Sequence, residues 1–176
     1  MAQQRQRVKA AAIPKMRAMM HRRHFCTALA AMLAAAQAPA QILPGLLRAP
    51  RLKAGDTIAL INPSGAIHER EPYEIATESL QALGFKVREA PNLRARYGHF
   101  AGTDRQRADD VNAMFADASV QGLLAVTGGS GGTRMLPLVD YALIRRNPKF
   151  LGGFSDLTAL INAVHAKTGL VTFHAP

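Results

Sequence analysis

A single cysteine, Cys26, and no tryptophan stand among the 176 residues, and aromatic side chains make up only 6%. One thiol excludes an intrachain disulfide and a cysteine-based zinc site, so the fold rests on packing alone. The six histidines, His21, His24, His68, His99, His165 and His174, fall at no metal-ligand spacing. No metal or organic cofactor is expected. Long apolar runs are also missing: the Ala- and Leu-rich stretch at residues 27–36 falls well short of the roughly 20 residues a bilayer-spanning helix needs. Acid is absent from the first 40 residues, which hold none of the 12 Asp and Glu but seven of the 22 Lys and Arg.

What is present is 48% hydrophobic and 19% charged sequence, enough for one domain with a real core and too little for two. A disordered or collagen-like chain is excluded. The formal charge of +10 invites a nucleic-acid reading until it is located. Residues 41–176 carry fifteen cations against twelve acids, a net of only +3. A nucleic-acid binder concentrates its basic excess on the folded domain, commonly with interleaved aromatics, and no such stripe exists here.

Residues 1–40 read as an export signal. Arg22-Arg23-His24-Phe25 supplies a basic region, residues 27–36 a short apolar one, and Ala38-Pro39-Ala40 a small-residue cleavage site. The paired arginines followed by Phe25 resemble a twin-arginine signal, whose cargo crosses the membrane folded. Cleavage after Ala38 or Ala40 discards Cys26 and delivers the mature chain to the periplasm. Met16, Met19 and Met20 are alternative starts, and a leader that is no signal leaves the chain in the cytoplasm. Residues 41–52 form a connector.

From residue 53 onward, short apolar runs alternate with amphipathic ones. Thr57-Ile58-Ala59-Leu60-Ile61 has the pattern of a buried strand and is stopped by the turn cluster Asn62-Pro63-Ser64-Gly65. Helical spacing follows over residues 72–83, with Gly84 placed to end the helix. Residues 85–90 predict a strand, and 103–115 a helix capped by Thr103 or Asp104. Residues 122–127 are almost continuously apolar, as a strand covered on both faces must be. Helical sequence extends to Ile144, a strand over 150–154, a helix over about 156–167 and a last strand over 170–173. Five strand-helix alternations give an α/β class, a doubly wound, mostly parallel sheet with helices on both faces, flavodoxin- or Rossmann-like. Chemistry in such sheets sits at the carboxyl ends of the strands. That rule selects residues 62–65, 127–132 and 153–156.

Gly153-Phe154-Ser155-Asp156 joins a strand directly to a helix, the setting of a nucleophile elbow, although Leu157 stands where the G-x-S-x-G pattern has glycine. The competing reading of Ser155 is a helix N-cap. Gly128-Gly129-Ser130-Gly131-Gly132 lacks the Lys of a phosphate-binding P-loop and follows the third strand rather than the first, which argues against a dinucleotide fingerprint. It reads as an anion-binding or oxyanion turn, or else as a plain flexible loop. His165 and His174 read as surface or structurally paired histidines, leaving a serine mechanism without an obvious base in the chain.

The residues from Leu52 to Pro176 resemble, in order, the N-terminal domain of the LD-carboxypeptidase family, serine peptidases of the S66 type that include microcin-C self-immunity peptidases. The resemblance is carried by Leu52-Lys53-Ala54-Gly55-Asp56-Thr57, Gly84-Phe85-Lys86-Val87, Gly102-Thr103-Asp104-Arg105-Gln106-Arg107-Ala108 with Asp110, Gly128-Gly129, Asn147-Pro148-Lys149, Gly153-Phe154-Ser155-Asp156-Leu157-Thr158 and Thr168-Gly169-Leu170 through His174. It implies Ser155 as nucleophile and the backbone N–H groups of Gly128, Gly129 and Asp156 as the oxyanion hole. It implies release of a terminal D-amino acid, D-Ala, from peptidoglycan-derived tetrapeptides, with a small muropeptide as the substrate partner and a homodimer as the assembly. Ser130 departs from the family, which often has an aromatic there, and this bears on substrate preference. The family's His and Glu belong to a C-terminal domain, expected beyond Pro176, so the 176 residues alone are expected to be inactive or nearly so. A bare face left for that domain is expected to promote aggregation. The alternative function is a non-catalytic α/β domain that holds a muropeptide or small anion.

Overall fold

The computed structural model describes residues 45–175. The segment read as an export signal, including Arg22, Arg23 and Cys26, and the start of the segment read as a connector lie outside the described residues. Five strands, β1 (Thr57–Ile61), β2 (Lys86–Glu89), β3 (Gly122–Ala125), β4 (Phe150–Gly153) and β5 (Phe173–His174), form one parallel sheet in the order β2-β1-β3-β4-β5. Between them run α1 (Glu71–Ala82), α2 (Asp104–Ala116), the short α3 (Gly132–Met135) and α4 (Tyr141–Arg146), and then α5 (Thr158–Thr168). This is the expected doubly wound class. Chain order reverses direction around β1, so the crevice between the ends of β1 and β3 is the topological switch point where ligands bind in such sheets.

Local sequence explains most boundaries. In α1, Pro72 occupies the first turn, where its missing N–H costs nothing. The helix ends in a Schellman motif: Gly84, at φ +84°, donates to the Gln81 carbonyl and Phe85 to that of Leu80. Thr103 caps α2 in a reciprocal box with Gln106. The helical sequence after residue 132 is not one helix. Pro137 sits in a 3₁₀ turn, Leu136–Leu138, Val139 is extended, and Asp140 restarts the helix by accepting from the Leu143 N–H at 2.8 Å.

Ile58, Ala59, Leu60 and Ile61 of β1 are all at most 1% exposed and form the centre of the core with Val111, Phe115, Leu123, Leu151, Leu160 and Val164. The last strand is shifted from expectation. Leu170 forms a bridge with Leu47, whose carbonyl accepts from Val171, so β5 begins only at Phe173. Right-handed crossovers put α1 on one face of the sheet and the α2–α5 layer on the other. Among the described residues, the α1 side of β3–β5 is thinly covered: Phe150 and Phe173 stack there with ring centroids 4.9 Å apart, and Phe173 remains exposed. Among the described residues, no helix is long and apolar enough to cross a membrane.

Candidate active site

The turn after β4 is bent against the preference of its own residue. Ser155 has φ +56°, and it is the sole non-glycine residue with positive φ among those described. Such a conformation costs of order 1–3 kcal/mol and persists only where the surroundings enforce it. Ser155 opens a 3₁₀ turn, Ser155–Leu157, that leads into α5, and no side chain caps either start. The N-cap alternative is therefore not what the serine does. Its side chain is exposed at the end of the sheet.

The glycine turn after β3 lies directly against this serine. A β-carbon on Gly128 would stand 2.4 Å from Ser155 Cβ, 2.7 Å from its Oγ and 3.5 Å from the Asp156 backbone nitrogen. Only glycine allows that approach. The sequence-selected Gly128, Ser155 and Asp156 thus converge on one point, with Gly129 next in the turn. Among the described residues, none accepts a hydrogen bond from the N–H of Gly128 or Gly129.

Nor is the turn a plain flexible loop, because it is fastened at three places. Gly65 donates its N–H to the Gly128 carbonyl at 3.1 Å, Gly132 donates to Asp156 Oδ2 at 2.7 Å, and the Gly131 carbonyl accepts from Arg107 at 2.9 Å. Backbone donors held beside a hydroxyl can stabilise negative charge developing on a carbonyl oxygen that the hydroxyl attacks.

Arg107 has no role in the reading from local patterns, which only placed it within the family resemblance. The signal was there: it occupies a buried position on α2, four residues before Val111 and seven before Met114. Its carboxylate partner, Asp104, is also held by Arg134 through both oxygens at 3.1 Å, and those bonds, then the charge of Arg107, depress its pKa below the usual carboxylate value. On the same helix, burial pushes the Asp110 pKa upward against the bonds it accepts from Asn92.

The described histidines have other settings. His165 Nδ1 pairs with the Leu170 carbonyl at 2.9 Å, and His174 sits in β5 in register with Gly153. No described histidine is hydrogen-bonded to Ser155. Beside Phe154, a groove of about 650 Å³ lined by Pro72, Ile75, Leu124, Val126 and Ala175 runs along the thinly covered face. Among the described residues, no group of three or more His, Cys, Asp or Glu is arranged to hold a metal.

Comparison with known proteins agrees with this fold. The profile described as the LD-carboxypeptidase N-terminal domain matches residues 58–175. A probable murein peptide carboxypeptidase of Bacillus subtilis is 38% identical over 125 residues, covering 71% of this chain and 39% of its own length. The microcin C7 self-immunity protein MccF of Escherichia coli is 34% identical over 133 residues, 74% of this chain and 38% of that protein. The crystal structure of an MccF-like protein from Bacillus anthracis superposes with a TM-score of 0.71 at 37% identity, over 74% of this chain and 40% of that one. The chain therefore spans about two fifths of the length of the relatives it matches.

Proposed function

The chain belongs to the LD-carboxypeptidase family of S66 peptidases, and from that premise we propose that it is the nucleophile domain of a serine carboxypeptidase that releases a terminal D-amino acid, D-Ala, from peptidoglycan-derived tetrapeptides. The observation that carries this reading is Ser155, bent to φ +56° at the end of β4 with Gly128 pressed against its hydroxyl. Ser155 Oγ attacks the carbonyl of the L,D amide. The bond to the D-residue breaks, the amine departs with a proton, and water then releases the shortened peptide from the acyl-serine. The N–H groups of Gly128, Gly129 and Asp156 hold the charge on the carbonyl oxygen during attack. The general base and its carboxylate come from a second domain outside these 176 residues, since serine at its free pKa is a poor nucleophile. Residues 1–176 alone turn over little or no substrate. The leader at 1–40 supports export to the periplasm, where such peptides arise.

The test is release of D-Ala from an L,D-tetrapeptide by the native gene product and by its Ser155→Ala variant. Loss of release of at least about 10⁴-fold in the variant is expected. Retained release, or none from the unsubstituted protein, ends the proposal.

A further inference from the structure

Arg107 is 1% exposed, and its side chain is wholly enclosed. Burying a guanidinium costs several kcal/mol unless its donors are used. Its two terminal nitrogens are used, across two different strand ends, while Nε is left without a partner. Nη1 donates to the Pro63 carbonyl after β1 at 2.6 Å and to the Gly131 carbonyl after β3 at 2.9 Å, while Nη2 bonds Asp104. The planar fork thus bridges the topological switch point, with the guanidinium carbon 5.2 Å from the centre of the Phe100 ring. That ring also fills the space where a β-carbon on Gly131 would lie, 2.4 Å from its nearest atom. At φ +93°, Gly131 lets the backbone turn its carbonyl inward onto the arginine.

We propose that Arg107 is a positioning residue for the oxyanion turn: by tying the Pro63 and Gly131 carbonyls together, it fixes where the N–H groups of Gly128 and Gly129 stand relative to Ser155, without touching substrate. The proposal rests on the peptidase reading for its catalytic meaning and on geometry alone for its structural one. Lysine keeps the charge but is a point donor that cannot reproduce the fork. Methionine removes the fork and the buried charge while keeping an unbranched apolar stem, and Asp104, part-exposed and still paired with Arg134, is not left as a lone buried charge.

The experiment pairs two measurements on Arg107→Lys and Arg107→Met. Amide hydrogen exchange on the native gene product is expected to speed by at least about tenfold at residues 128–132 while β1 and β4 stay protected. Release of D-Ala by the native gene product is expected to fall about 100-fold in kcat with little change in KM, the mark of misplaced catalytic groups rather than lost binding. Arg107→Lys is expected to fall between the parent and Arg107→Met in both. Unchanged exchange in the turn overturns the proposal, as does exchange that rises equally throughout the sheet. An unaltered kcat beside a loosened turn also overturns it. If the unsubstituted protein releases no D-Ala, the peptidase reading fails, and the location of the exchange change decides whether Arg107 sets the turn.

Discussion

At the amino-terminal ends of the strands, polar groups meet partners. The Thr57 N–H donates to Gln121 Oε1 at 2.9 Å, the Gln121 N–H returns to the Thr57 carbonyl, and Gly55 donates to Gly84. Lys149, 7% exposed, closes the carboxyl end of α2 by donating to the Met114 carbonyl at 2.9 Å and to that of Asp117. Burial lowers the Lys149 pKa, with Asp117 opposing. At the carboxyl-terminal ends the same sheet is built differently. Among the described residues, the buried side-chain atoms that lack a hydrogen-bond partner belong to Asn62, Ser64 and Arg107, all grouped around the end of β1. The one non-glycine residue in the left-handed region, Ser155, is at that end too. Satisfied polar groups at one end and strain with orphaned groups at the other is the distribution expected where one end holds the fold and the other is organised for a ligand.

The sharpest way to break this contrast is to crowd the strained end. Gly128→Ala puts a methyl 2.4 Å from Ser155 Cβ, so either the turn or the serine must move. D-Ala release by the native gene product is expected to fall at least about 100-fold, because misplacement by about 1 Å costs that much. Activity within a factor of two would mean that the close approach is irrelevant to chemistry. At the opposite end, Lys149→Met is expected to leave kcat and KM unchanged and to cost roughly 1–3 kcal/mol in a denaturant titration, since two helix-end carbonyls lose a charged donor. A kinetic effect larger than the stability effect would erase the distinction between the ends.

How much of this was legible in the sequence follows the same division. Four adjacent apolar residues, Ile58 to Ile61, identified β1, and Gly84 marked the end of α1, because burial and positive φ leave local signatures. Ser155, Gly128 and Asp156 were found from strand-end position and family resemblance. The strain in Ser155 was not visible, since it comes from Gly128 and α5 closing on the turn rather than from the serine's neighbours in sequence. Arg107 was hidden for a related reason: its partners, Pro63 and Gly131, lie 44 and 24 residues away, and periodicity sees a helix face but not what that face clasps. The shift of β5 has the same origin. Leu170 has the apolar character of a strand residue, but it pairs with the distant Leu47 rather than with β4.

A smaller effect of opposite sign separates function from stability at the serine itself. Ser155→Gly removes the side chain and accepts φ +56° without steric cost. It is expected to raise stability by about 1 kcal/mol, or roughly 2–4 °C in melting temperature, while abolishing D-Ala release. A lowered melting temperature would mean that the hydroxyl contributes packing or hydrogen bonding that outweighs the backbone strain.

The smallest expected effect tests whether the charges behind the glycine turn also stabilise the fold. Hydrogen bonds from Arg134, then the charges of Arg134 and Arg107, hold the Asp104 pKa below its ordinary value, near 4 in an unfolded chain. A carboxylate whose folded-state pKa is depressed contributes stability that is fully present above the unfolded pKa and is lost as pH falls through the folded one. Asp104→Asn is therefore expected to melt about 2 °C below the parent at pH 7, an amount set by a partly exposed pair worth under roughly 1 kcal/mol. The gap should close as the pH drops from about 5 towards 2, because the protonated parent then carries no charge there either. A gap that stays constant across this range would assign the loss to the altered hydrogen bond rather than to charge, and Arg107 would then owe its burial to the two carbonyls it joins more than to its acidic neighbour.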